Sequence, residues 1–341
     1  MRTWARPWLW AALAVVVIAG CGGGGSGGKL KFLFVTNSNA DWWNAVEKGM
    51  QDGAKEAGVD AVMRRNEGQT GGQINILQDA LSMPDVSGVA VSVIEADAPG
   101  VADAMRALQK AGKIVIAIDS DIETASADAR SAYIGTNNVQ AGIAAGKAAA
   151  ALRPKGGQVA VFVGTSGAAN ARERKDGFFQ GAGSAFKAIE TFDDGGDHSK
   201  ARSNVQNALV KHPDVGLLLG LWSYNAPAIA EEVAKAPEVR KKTTVVTFDL
   251  DEAAVGELEQ SNIDASVCQN PYEMGYQGVR LLKALIQKDQ ATIGKILPDG
   301  KTRDTGVRVI VPKADSPVKG DNVITIEEMK KWLESKGLRS S

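Results

Sequence analysis

From Lys29 onward the chain alternates short apolar runs with longer amphipathic stretches. The runs cover residues 30–35, 59–63, 89–93, 114–118, 159–163, 189–192, 215–219, 245–248 and 265–268. Between them, residues 46–57, 74–83, 101–111 and 178–186 carry apolar side chains at helical spacing, which predicts helices. Continuous apolar runs of strand length bounded by helices predict βαβ units, with parallel sheets covered on both faces. Nine such strands exceed one comfortable doubly wound sheet in a chain of 341 residues, so the pattern predicts two α/β lobes.

The break between lobes is expected near Tyr133-Ile134-Gly135-Thr136-Asn137-Asn138, where a short strand runs into the Ala-rich helix predicted over 139–152. Further crossings are expected near Gln269-Asn270-Pro271 and Asp304-Thr305-Gly306. The predicted lobes are then 29–135 with 270–304, and 136–269 with 305–341. Three connections make a hinge that resists twist but bends easily, as closure around a ligand requires. The tail over 323–337 reads as a surface helix closing the second lobe, with Trp332 on its apolar side.

In open α/β sheets ligands sit outside the carboxyl ends of the strands, so the candidate residues are those that follow the runs. The first run ends in Thr36-Asn37-Ser38-Asn39-Ala40-Asp41-Trp42-Trp43. Neighbours at a helix start diverge by about 100°, so one Trp is expected to face the cleft fully, its indole covering the C–H face of a sugar ring. Asp119 and Asp249 end two further runs. A carboxylate there can accept charge-assisted bonds from vicinal hydroxyls, although strand-end Asp is also an ordinary turn residue. Arg174 lies early in a predicted helix, where the dipole disfavours it unless it reaches a polar partner. Trp222 and Gln269 follow two more runs. Rings for C–H faces and forked polar groups for hydroxyls suit a neutral polyhydroxyl ligand.

Composition adds little before residue 29 is considered. Net charge is −1, with 23% charged and 44% hydrophobic residues, so nothing points to nucleic acid. The N-terminus says more. Arg2 and Arg6 precede an apolar run over 8–19 that ends in Ile18-Ala19-Gly20-Cys21. The run is short for a permanent membrane span and reads as a secretory leader over 1–21. Its end resembles the bacterial lipobox, which implies acylation at Cys21 and a lipid anchor. Residues 22–28 are Gly and Ser only, a flexible tether.

Beyond the leader, Cys268 is the remaining cysteine, so no intramolecular disulfide is expected. One Cys with His198 and His212 shows no zinc spacing, and neither a metal nor a cofactor is expected. Residues 23–29 fit P-loop spacing superficially, but Leu30 stands where Ser or Thr belongs and the segment precedes its strand. No catalytic residue is assigned; Asp119 and Asp249 as a glycosidase pair is the enzyme alternative.

The chain resembles the periplasmic sugar-binding proteins of the ribose-binding type, relatives of the LacI-type repressor core. The resemblance runs from about Lys29 to the end. It is most specific in Asn170-Ala171-Arg172-Glu173-Arg174-Lys175-Asp176-Gly177-Phe178, Val246-Thr247-Phe248-Asp249 and Gln269-Asn270-Pro271-Tyr272-Glu273-Met274-Gly275. It implies a type I periplasmic binding protein fold, a monomer working with an ABC permease, and ligand contacts at Thr36, Trp42, Trp43, Asp119, Arg174, Asp249 and Gln269. Asn37 joins that set from its place in the first segment. Three departures stand out: Ser120 where ribose binders have Arg, Gly196 where they have a second-lobe Phe, and Trp222 where they have Asn. They imply a small carbohydrate other than ribose. A sensor that presents a sugar to a membrane receptor or histidine kinase would have the same fold and pocket.

Overall fold

A computed structural model describes Met1 and residues 29–341. The leader, the acylation at Cys21 and the tether over 22–28 lie outside the described residues. The strands in chain order are β1 (Lys31–Val35), β2 (Asp60–Arg64), β3 (Val86–Val91), β4 (Ile114–Asp119), β5 (Tyr133–Gly135), β6 (Gly157–Val163), β7 (Phe186–Asp193), β8 (Leu217–Gly220), β9 (Thr244–Phe248), β10 (Ala265–Cys268), β11 (Thr302–Asp304), β12 (Arg308–Val311) and β13 (Val323–Thr325). They form two sheets, ordered β11-β5-β4-β3-β1-β2 and β13-β12-β10-β9-β8-β6-β7. Pairings are parallel except β10 with β12. Two doubly wound α/β lobes, as the apolar pattern predicts, therefore make up the molecule.

Each sheet is buried on both faces, which is why its inner strands read as unbroken apolar runs. In the first lobe Phe32, Phe34 and Ile116 pack on one side, and Leu33, Val35 and Val115 on the other. The second lobe divides likewise, with Val159, Val161 and Phe248 on one face and Phe162, Leu218 and Ile310 on the other. The edge strand β2 alternates exposed and half-buried residues, as expected where one side of the ladder meets solvent.

The chain passes between sheets three times, after Gly135, after Cys268 and after Asp304. The first two passages lead directly into helices. Asn137 caps the helix Asn138–Leu152 by accepting from the Gln140 amide, and Asn270 caps Pro271–Gln287 by accepting from the Glu273 amide. The first and third passages are tied together: Thr305 N–H donates to the Gly135 carbonyl at 2.8 Å, and Asn137 N–H to Asp304 Oδ1 at 3.2 Å.

Two expectations need correction. The helical stretch over 178–186 belongs to a helix that starts earlier, Ala169–Ala182. It stops at Gly183, whose φ of 80° is reached by glycine at little cost, and Phe186 already begins β7. The tail begins as β13 and turns helical over Ile326–Ser335 through a capping box of Thr325 and Glu328.

Candidate ligand site between the lobes

The two sheets bring their strand ends together. Asp119 closes β4 in the first lobe and Asp249 follows β9 in the second. Both adopt the left-handed backbone conformation, with φ of 59° and 61°, which is uncommon for any residue but glycine and least so for Asp and Asn. Each is braced through its own carbonyl. The Tyr133 hydroxyl donates to the Asp119 carbonyl at 2.7 Å, and the Ser266 hydroxyl to the Asp249 carbonyl at 2.6 Å. The same device thus turns both carboxylates out of their sheets.

Asp119 Oδ2 accepts from Ser92 Oγ at 2.8 Å and from Asn37 Nδ2 at 3.4 Å. Burial pushes its pKa up to about 6; Ser92 and Arg174 oppose the shift, while Asp249 adds to it. Asp249 Oδ1 accepts from Gln269 Nε2 at 2.9 Å. Its pKa too is raised by burial, against the pull of Arg174 and Gln269.

Arg174 is 2% exposed. Its Nε donates to Asn138 Oδ1 at 3.0 Å and its Nη1 to the Leu221 carbonyl at 2.8 Å. The guanidinium sits 4.8 Å from the Phe248 ring centroid, with Nη1 3.7 Å from Asp249 Oδ2. These acceptors explain how a cation is tolerated early in its helix, where the dipole opposes it.

Both Trp are buried in the first-lobe core, Trp42 at 8% exposure. Trp43 is 1% exposed, packs in the first-lobe core and donates from Nε1 to Ser38 Oγ at 3.1 Å. Trp42 meets it edge-on, ring centroids 5.0 Å apart. The Trp42 indole N–H reaches across to favour the Asp249 carboxylate without making a hydrogen bond to it. Trp42 Nε1 and Gln269 Oε1 are buried with no protein partner among the described residues. Such atoms are uncommon in folded proteins, and here both belong to the same site.

Trp222 is half-buried against the second-lobe core. Its indole N–H donates to Asn170 Oδ1 at 3.3 Å, and Asn170 Nδ2 donates across the lobes to Ser120 Oγ at 3.4 Å. Thr36 is bonded within the first lobe. It is wholly buried, its hydroxyl donates to the Ser38 carbonyl at 2.6 Å and accepts from the Asn66 amide at 2.9 Å. Both capacities serve the first-lobe backbone.

The structure thus gathers Asn37, Trp42, Asp119, Arg174, Trp222, Asp249 and Gln269 about the facing strand ends, while the polar groups of Thr36 and Trp43 bond within the first lobe. Sequence reasoning missed Ser92 and Asn138 as site residues, although both follow strand ends, β3 and β5, where the search was aimed. It also left Asn170 without a role. Among the described residues no group of three or more His, Cys, Asp or Glu side chains could hold a metal ion, and Glu190 engages His212 on the surface.

The chain is similar to known proteins along most of its length. The family described as periplasmic binding protein domain matches residues 30–290. The D-allose-binding periplasmic protein of Escherichia coli is 27% identical over 266 residues, covering 75% of this chain and 83% of the relative. The ribose import binding protein of Bacillus subtilis is 24% identical over 244 residues, 71% of this chain and 77% of the relative. Among solved structures, an ABC transporter solute-binding protein from Burkholderia graminis in complex with D-arabinose is similar with a TM-score of 0.75 at 28% identity. That match covers 83% of this chain and 95% of the other.

Proposed function

The chain belongs to the periplasmic binding protein domain family, and on that premise we propose that it is the extracytoplasmic substrate-binding component of an ABC-type sugar uptake system. It captures a small monosaccharide or related polyol by closing its lobes. The observation that carries this reading is the pair of buried strand-end carboxylates, one per lobe, with Arg174 acting on both. Vicinal hydroxyls can donate to each carboxylate and accept from the guanidinium, and a ligand that touches both lobes favours the closed form by its differential affinity. Trp42 Nε1 and Gln269 Oε1 supply one further donor and one further acceptor for hydroxyls.

The ligand contacts we assign are Asn37, Trp42, Asp119, Arg174, Trp222, Asp249 and Gln269. The lobes we assign are 29–135 with 270–304, and 136–269 with 305–341. Acylation at Cys21 anchors the protein to a bacterial membrane, residues 22–28 give it reach, and the protein acts as a monomer beside its permease. The relatives that bind allose, ribose or arabinose set the scale of the ligand.

The test is tryptophan fluorescence of a Lys29–Ser341 fragment titrated with pentoses, hexoses, deoxysugars, polyols and nucleosides. A saturable change with one class, lost on Arg174→Met, supports the reading. Silence across the panel, with no thermal shift either, overturns it.

A further inference from the structure

Both lobes contain a pair of helices pressed together at glycines. In the first lobe, Trp43–Ala57 meets Pro271–Gln287. A Cβ added at Gly49 would fall on the Tyr272 carbonyl oxygen, and one at Gly53 would lie 2.9 Å from that of Tyr276. In the second lobe, Asn138–Leu152 meets Ala169–Ala182. A Cβ at Gly142 would fall on the carbonyl oxygen of Arg174 itself and lie 2.9 Å from the Gly177 Cα; one at Gly177 would fall on the Val139 carbonyl oxygen. Backbone atoms cannot swing aside as a side-chain end can, so either substitution forces the helices apart.

The contact has a consequence in the second lobe that follows from where it lies. Its two backbones touch at Arg174 and at Val139, the residue beside Asn138. Arg174 Nε donates to Asn138 Oδ1 at 3.0 Å, with both residues buried. Nη1 is held by Leu221 and the face by Phe248, which leaves Nη2 without a protein partner among the described residues. A guanidinium fixed on three sides presents its remaining donors in one direction only.

We propose that Asn138, Gly142 and Gly177 are positioning residues: the glycine contact sets the distance at which Asn138 locks Arg174 toward the ligand. This rests on the reading of the site as a monosaccharide pocket.

The test compares Gly142→Ala and Asn138→Ala with Gly53→Ala, which presses on backbone in the other lobe. Affinity for the monosaccharide that binds the unaltered protein is measured below each melting temperature. The Arg174 Nε–H resonance, assigned by its loss in Arg174→Lys, is followed in parallel. Gly142→Ala and Asn138→Ala are expected to weaken binding at least tenfold and to shift the resonance or speed its exchange with water. Gly53→Ala should lower the melting temperature, leaving affinity within twofold and the resonance in place. Asn138→Asp, which keeps the acceptor, should restore much of what Asn138→Ala loses. Equal effects from Gly142→Ala and Gly53→Ala, or an unmoved resonance in Asn138→Ala, overturn the proposal. If Gly142→Ala does not fold, the Asn138 variants decide. If no sugar binds the unaltered protein, the functional reading fails, and the resonance still decides the positioning.

Discussion

Replacing Asp119 by Asn isolates what its charge does. Asn tolerates the left-handed backbone about as well as Asp, so the φ of 59° survives the change. The Ser92 and Asn37 donors can still find the amide oxygen, and Tyr133 bonds the backbone carbonyl. What disappears is a buried ionisation. Burial raises the Asp119 pKa from 3.8 to about 6. At about 1.4 kcal/mol per unit, holding that carboxylate ionised at neutral pH costs ~2–3 kcal/mol. Because the folded-state pKa is the higher one, the folded protein binds more protons between about pH 4 and 6. The stability conferred by the protonated group is full below the unfolded value and lost as pH rises through the folded one. Asp119→Asn should therefore remove that fall and be more stable than the unaltered protein at pH 7.5 by up to ~2–3 kcal/mol, with little difference at pH 4. It should also bind sugar on the order of 10–100-fold more weakly, since a charge-assisted acceptor becomes a neutral one. Urea denaturation at pH 4, 6 and 7.5 and fluorescence titration at pH 7.5 measure both. A variant that is less stable at pH 7.5 yet binds normally would refute the reasoning.

Three further outcomes are expected. Thr36→Ala leaves the Asn66 amide unpartnered and should lower stability by about 1–3 kcal/mol, with affinity of the folded protein unchanged within twofold. Lost affinity without lost stability would return Thr36 to the site. Sugar hydroxyls that donate to ionised Asp119 should release a proton near pH 6, so the calorimetric heat of binding should vary with buffer ionisation enthalpy and affinity should weaken below that pH; a buffer-independent heat would contradict this. Trp332, from the terminal helix of the second lobe, meets Tyr272 of the first edge-on at 6.5 Å. Trp332→Ala should remove about 0.5–1.5 kcal/mol of aromatic contact and weaken binding a few-fold without touching the pocket. Unchanged affinity and unchanged small-angle scattering would rule out that influence.

How far the sequence is legible depends on the scale of the force concerned. Burial on both sheet faces writes itself as apolar runs, so β1, β4, β6 and β10 are readable almost to the residue. Strands of three residues such as β11 and β13 lack the length to stand out. The strand-end rule points to Asp119, Asp249 and Gln269, and the helix-dipole argument to Arg174, because each is a polar group where apolar packing gives no reason for one. It cannot separate Trp42 from Trp43, or Thr36 from a true contact, since orientation is settled by partners distant in sequence. Thr36 is bound to Asn66, thirty positions away. The glycines at the helix contacts are visible as residues, but what each one faces is a property of the fold.

The charges in the cleft also bear on what it can accept. Asp249 adds to the cost of ionising Asp119, and a single guanidinium acts on both carboxyl groups. Two buried carboxyl groups, both with raised pKa, thus share one guanidinium, in surroundings where charge is weakly screened. Closure without hydrogen-bond donors is opposed, because each carboxylate gives up water for too few partners. A neutral polyol repairs this with hydroxyl protons. A sugar acid or sugar phosphate would bring further negative charge to two carboxyl groups that share a single guanidinium. On the proposed assignment of the site, the same pair of strand ends that takes the sugar hydroxyls disfavours an anion, whichever lobe the ligand meets first.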